Sequence, residues 1–310
     1  MRLLIIYPGA IGDFILALPA LKLLKQGLDA SYLELWVERP NLPLAGMCNA
    51  VSHAVALADS GFDCYPLPER VLKNLRSFDR VVSWRGFKNE ELVQAVRTHH
   101  KEAHFFPFLP DLPDTHALDF RIGQVTGLVG AAGEVEPVPR LDCPKEQLRQ
   151  AKELLREQVG TGLPVAIVHP GASSDRKRWS TAKFSRLLVE LKKVEMFRVT
   201  LCFGPLEQDD PELTALGASS DVPTLVAPDL DLLAGVLSCS SLYIGNDTGI
   251  SHLAAACGVP TIAIFTVTQP ECWAPRGPLV GILRNPEVDD VIRGVRRMMQ
   301  AVPTLHTKLL

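Results

Sequence analysis

What the chain lacks narrows its function first. No run of about 18 apolar residues occurs, so no segment reads as a membrane-spanning helix. There is no Walker A loop, no G-x-S-x-G elbow and no H-E-x-x-H pair, which removes the motif-based readings as P-loop nucleotidase, serine hydrolase or zinc protease. None of the seven cysteines (Cys48, Cys64, Cys143, Cys202, Cys239, Cys257 and Cys272) forms a C-x-x-C pair, and their number is odd. Several sit in apolar runs, as Cys202 does in Val199-Thr-Leu-Cys-Phe203. Such usage fits reduced, buried thiols and a cytoplasmic protein rather than a disulfide framework. Basic excess is absent too: the net charge of −3 gives no bias toward nucleic acid. Repeats and low-complexity tracts are missing as well.

What is present describes an ordinary globular chain of two domains. The 310 residues exceed one typical domain, and 47% hydrophobic with 22% charged residues is enough to build full cores. Arg2–Tyr7 is a continuous apolar run, the pattern of a strand buried on both faces. Pro8, Gly9, Gly12 and Asp13 interrupt it, which argues for a turn into a helix and against a secretory core. Pro19 lies within that helical stretch and predicts a kink or a new helical start. Further strands are expected at Tyr32–Val37, Ala54–Leu57 and Arg80–Trp84. After residue 160 the alternation restarts, with strands expected at Pro164–His169, Arg198–Phe203, Thr224–Ala227, Ser241–Gly245 and Thr261–Phe265 and helices between several of them. Strands alternating with helices predict α/β architecture, parallel sheets covered by helices. The expected boundaries are a first Rossmann-like domain over 1–143, a polar linker helix over 144–160, a second Rossmann-like domain over 161–284, and a helix with tail over 285–310. In that last helix Asn285 is expected to cap, with Pro286 in the first turn. Val288, Val291, Ile292, Val295, Met298 and Met299 form one apolar stripe.

Four segments can carry chemistry. In Tyr243-Ile-Gly-Asn-Asp247-Thr-Gly249-Ile-Ser-His252 a strand runs into a small-residue helix, whose N-terminus offers free N–H groups and a positive dipole end to a diphosphate. Thr248 and Gly249 permit close approach; a plain helix cap would explain Asp247 but neither Gly249 nor His252. In His169-Pro-Gly-Ala-Ser173-Ser174-Asp-Arg-Lys177-Arg-Trp179 a strand delivers hydroxyls and cations to a loop. There Lys177 can neutralise a diphosphate without a metal and Ser173 and Ser174 can donate hydrogen bonds, although most such runs are merely charged surface loops. Glu207, just past a strand end, can accept from ribose hydroxyls or be a solvated turn residue. Gly9-Ala-Ile-Gly12-Asp13 is half of a dinucleotide fingerprint, too little for a cofactor site. Asp13 either acts as a base or stabilises a helix N-terminus, whose dipole would weaken it as a base. His99, His100 and His104 cluster in sequence but complete no known ligand spacing, so no metal site is expected.

In this order the segments resemble glycosyltransferase family 9, the bacterial lipopolysaccharide heptosyltransferases. The likeness rests on Asp247-Thr-Gly-Ile-Ser-His-Leu-Ala-Ala-Ala-Cys-Gly-Val-Pro260, supported by Lys177-Arg-Trp179, Phe203-Gly-Pro-Leu-Glu207, Thr268-Gln-Pro270, Trp273-Ala-Pro275, Gly12-Asp13 and Leu18-Pro-Ala-Leu21. It implies a GT-B fold, two facing Rossmann-like domains with an interdomain cleft. It also implies an inverting transfer of heptose from ADP-heptose, a substrate rather than a cofactor, to a lipid-linked core oligosaccharide acceptor. A cytoplasmic enzyme is implied, with room for peripheral contact with the inner membrane. By the same resemblance Asp13 is the general base, Lys177, Thr248 and Gly249 hold the diphosphate, Glu207 holds the ribose, and Asp247 and His252 lie near the donor sugar or phosphates. The chain departs from the family at Phe265-Thr266, where Phe-Gly is frequent, and at Ser83-Trp-Arg-Gly86, where a more acidic or amide-bearing segment is usual. A sugar-nucleotide epimerase on the same architecture and a nucleotide-sugar binding protein without turnover remain the alternatives.

Overall fold

The computed structural model describes residues 1–64, 66–110, 114–130, 136–204, 207–226 and 229–301. The chain divides into two compact units, Met1–Asp142 and Cys143–Leu310. In the first unit, β1 (Arg2–Tyr7), β2 (Tyr32–Val37), β3 (His53–Ala56), β4 (Arg80–Ser83) and β5 (Ala103–Phe105) form one sheet in the order β3-β2-β1-β4-β5. Every pairing is parallel; Ile5 of β1, for instance, stands between Leu35 and Val82. The near-continuous apolar sequence of β1 follows from this central place, since Leu3 to Tyr7 are all fully buried. The chain winds one way from β1 to β3 and the other way through β4 and β5, so the end of β1 is a topological switch point. The short loop leaving that end carries Gly9, and the helix it opens, Ile11–Gly27, carries Gly12 and Asp13 in its first turn.

The second unit repeats the plan. Its strands are β6 (Val165–His169), β7 (Arg198–Phe203), β8 (Thr224–Val226), β9 (Leu242–Asn246), β10 (Thr261–Phe265) and β11 (Val280–Arg284), in the parallel order β11-β10-β9-β6-β7-β8. Here the switch point lies between β6 and β9. Two of the segments singled out above, 170–179 and 246–249, leave the C-terminal ends of these neighbouring strands. The helix Lys145–Gln158, expected as a linker, belongs to this unit and packs along the helix Leu230–Cys239. The stripe of the last helix, Val288–Ala301, is buried from Val288 to Met299 against Ile262, Ile264 and Leu188 in the core.

Three local expectations need correction. The helix Ile11–Gly27 runs unbroken through Pro19. A proline inside a helix costs about 3 kcal/mol, but burial of Phe14 through Leu21, Leu23 and Leu24 outweighs one missing donor. Asn285 caps nothing: it adopts a left-handed φ of 41° and donates from Nδ2 to the Thr266 carbonyl at 3.1 Å. Pro286 precedes the helix, and Asp290 instead accepts from the Glu287 N–H at 2.9 Å. Finally, β5 and β11 were not foreseen, because each is a short edge strand with little apolar alternation.

Candidate active site

In the second unit the two switch-point loops are tied together by side chains. Asn246, the last residue of β9, is fully buried. Its Nδ2 donates to the carbonyls of Pro170 (2.8 Å) and Gly171 (3.0 Å), and its Oδ1 accepts from the Trp179 N–H (2.9 Å). One amide therefore closes both ends of the segment 170–179. The Thr266 hydroxyl, at the end of β10, donates to the Arg176 carbonyl at 2.7 Å. The Trp179 indole donates to the Pro286 carbonyl at 3.0 Å and packs edge-on against Phe184. Within this frame Lys177 closes a short 3-10 turn, Asp175–Lys177, and its Nζ lies 3.0 Å from Asp247 Oδ2. Asp247 is buried and accepts a second bond from Thr268 Oγ1 at 2.6 Å, while the Lys177 side chain keeps 30% of its surface exposed. Asp247 therefore does not cap the following helix, Gly249–Ala256. Thr248 holds the cap position in extended conformation, and its side chain makes no cap bond to the helix N–H groups, leaving the helix N-terminus open beside Lys177's partner. Gly249 is half-buried as the first helical residue, His252 is buried, and Ser173 and Ser174 are exposed.

Glu207 joins the same end of the sheet. Its Oε2 accepts from the Gly204 N–H at 2.8 Å, and it presses so closely on Gly171 that a Cβ there would lie 2.1 Å from Oε1. Gly171 is in turn one of the groups held by Asn246, so the Glu207 carboxylate, the loop and the clamp are in contact. Beneath Glu207 lies His169, buried at the end of β6, with Nε2 3.9 Å from Oε1 and its ring stacked on Tyr243. Burial holds the imidazole below its ordinary range, against the opposite pull of the Glu207 charge. Arg178 turns away and pairs with Asp210 at 2.8 Å, fixing the base of the helix Pro211–Ser219.

Asp13 occupies the first turn of the helix Ile11–Gly27, whose cap residue is Ala10. Its Oδ1 accepts from Arg121 at 3.1 Å, and its side chain is 23% exposed. Arg121, fully buried on the helix Ala117–Val129, also donates to the Tyr7 hydroxyl (2.6 Å) and to the Ala117 carbonyl (2.8 Å). A buried cation so fully used fixes the direction of the carboxylate it meets. Gly9 is required by close approach: an added Cβ would come within 2.7 Å of Asp13 Cβ and 2.5 Å of the Tyr7 ring. The Arg121 guanidinium lies over Phe108, which lines a neighbouring pocket of about 830 Å³ together with Phe62, Trp84, Arg85 and Phe87.

The three histidines do not converge. His100 meets the Phe78 carbonyl, His99 meets Arg76, and His104 faces Glu102; among the described residues no group of three or more His, Cys, Asp or Glu is placed to hold a metal. Nor is any helix among them long and apolar enough to cross a membrane. Sequence reasoning did not single out Arg121, Asn246 or His169 as functional residues. Asn246 had a signal, its place at a strand end in the motif, whereas Arg121 sits in an unremarkable helix and had none.

The sequence profile of glycosyltransferase family 9 (heptosyltransferase) matches residues 131–295. Lipopolysaccharide heptosyltransferase 3 of Escherichia coli is 26% identical over 188 residues, covering 57% of this chain and 53% of that protein; the match thus spans about half of the relative's length. The glycosyltransferase family 9 structure from Veillonella parvula DSM 2008 superposes with a TM-score of 0.81 at 16% identity, covering 97% of each chain. E. coli heptosyltransferase WaaC with ADP gives a TM-score of 0.68 at 20% identity over 97% of this chain and 99% of that one. At these identities the structural likeness establishes the fold, GT-B with two Rossmann-like domains. Together with the profile over more than half the residues, it leads to one assignment: the chain belongs to glycosyltransferase family 9, the heptosyltransferases.

Proposed function

We propose that the protein transfers heptose, with inversion, from an ADP-heptose donor to a hydroxyl of a lipopolysaccharide core acceptor. The observation that carries this reading is the convergence of Lys177, the open N-terminus at Gly249 and Glu207 on one strand-end surface at the switch point between β6 and β9. Such a surface suits a nucleoside diphosphate: cation and helix dipole for the phosphates, carboxylate for the ribose hydroxyls. A relative of the same fold was solved with ADP. In the first unit Asp13 takes the proton of the acceptor hydroxyl as that oxygen bonds to the anomeric carbon. The bond from this carbon to the diphosphate breaks, and ADP leaves with the electron pair. Charge growing on the leaving diphosphate is met by Lys177 and the helix N-terminus. Asp247 and Thr268 keep the ammonium in place, and Ser173 and Ser174, being exposed, are available as further donors. The aromatic pocket beside Arg121 is a suitable seat for the acceptor sugar.

No metal is required in this scheme. The chain's D-x-D, Asp229-Leu-Asp231, starts the helix Leu230–Cys239 beyond the edge strand β8, away from the switch point. Titration calorimetry with ADP in EDTA tests the donor half: wild type binds, while Lys177→Ala and Glu207→Ala bind at least about tenfold more weakly. Binding that needs added Mg²⁺, or that survives both substitutions, overturns it. An ADP-sugar altered without any acceptor would identify an epimerase instead.

A further inference from the structure

The loop that carries Lys177 is fastened at more points than a charged surface loop needs. Asn246 holds the carbonyls of Pro170 and Gly171 and the N–H of Trp179, and it does so at zero exposure. Thr266 holds the carbonyl of Arg176, one residue before Lys177. Asp247 then accepts from the ammonium itself and is held in turn by the Thr268 hydroxyl. These anchors stand at the ends of β9 and β10, both strands buried along their whole length, or in the turn that follows. A short loop whose middle holds no apolar anchor would otherwise sample many conformations, and a ligand would have to order it on binding.

We propose that Asn246 and Thr266 are positioning residues that preset the loop 170–179, so that Lys177 already stands where a nucleoside diphosphate needs its charge. This rests on the reading of Lys177 as the diphosphate cation. Neither residue touches the ligand; both act through the loop. A glycine at 266 would lack the hydroxyl and leave the Arg176 carbonyl to solvent, so this chain carries a second fastening where an unsubstituted backbone has none.

The test uses the full chain and ADP as probe. Asn246→Ala should weaken ADP binding by about tenfold, equivalent to ~1.4 kcal/mol, and Thr266→Val by a smaller factor. Amide hydrogen exchange across 170–179 should rise in both variants while the other strands of the unit keep their protection. The decisive measurement is the cycle with Lys177→Ala. If the clamps act through Lys177, adding either substitution to Lys177→Ala should cost less than about twofold more. Additive losses overturn the proposal, as does faster loop exchange with unchanged ADP affinity. Should Lys177→Ala alone leave ADP binding intact, the reading of Lys177 fails and the proposal with it, an outcome distinct from a normal Lys177 effect with additive clamps. If removal of the buried amide prevents folding, Thr266→Val carries the cycle by itself, since it is isosteric and half-buried.

Discussion

Gly171→Ala probes the tightest contact of the candidate site. Gly171 has a φ open to any residue, so backbone strain does not enter. Space does: the new Cβ would lie 2.1 Å from Glu207 Oε1, 2.5 Å from its Cδ and 2.6 Å from its Cγ. Real Cβ contacts almost never fall below 3.0 Å, so the carboxylate must retreat by roughly an ångström. That movement strains or breaks its bond from the Gly204 N–H, now 2.8 Å. Losing a charge-assisted bond costs ~1.5–3 kcal/mol, and overpacking alone costs ~1–3 kcal/mol. Because Glu207 is only partly buried and can relax toward solvent, the lower part of this range, about 1–2 kcal/mol, is expected in urea unfolding. The control is Glu207→Ala, which removes the three atoms that lie closest to that Cβ. In that background Gly171→Ala should be neutral or stabilise by ~0.4–1 kcal/mol, because alanine restricts the unfolded chain. A cost that stays the same with and without the Glu207 side chain would refute the reasoning, and with it the packing that places Glu207 against the loop.

Two further outcomes follow from the titratable groups. Burial depresses the His169 pKa from its ordinary 6.5, so the unfolded chain binds its proton first; the stability from neutral His169 is present above that value and is lost as pH falls through the lower folded value. Between about pH 7.5 and about pH 5.5 wild type should therefore lose more unfolding free energy than His169→Gln, and equal losses would exclude this linkage. Cysteine alkylation at neutral pH, followed by mass spectrometry, should label exposed Cys64 first. Desolvation pushes half-buried Cys143 up to about 11, and buried Cys202 and half-buried Cys257 to about 12, so labelling of these as fast as Cys64 would contradict their raised values.

Much of the fold was legible because central parallel strands must be apolar on both faces. Arg2–Tyr7, Tyr32–Val37 and Arg198–Phe203 stand where the apolar runs place them. The edge strands β5 and β11 were invisible because they are short and are set by pairing with β4 and β10. Pro19 misled because its local cost is smaller than the burial of its helix. For the site, the sequence identified which loops leave strand ends but not which loops meet. Lys177 and Asp247 are separated by 70 residues, Asn246 and Trp179 by 67, and Arg121 and Asp13 by 108. Only the strand order, which puts β9 beside β6, joins the first two pairs. Arg121 had no local mark at all, since an arginine in a helix is ordinarily a solvated residue.

In the proposed reaction Asp13 is the base, and the donor is held elsewhere, by the second unit. Asp13→Asn keeps size and the capacity to accept a bond from Arg121 while removing the basic carboxylate. With ADP-heptose and a lipopolysaccharide core acceptor, the account predicts that turnover falls by about 10²–10⁴ while ADP affinity stays at the wild-type value. Near-normal turnover in Asp13→Asn would contradict it, and would reduce Asp13 to the partner that neutralises a buried arginine.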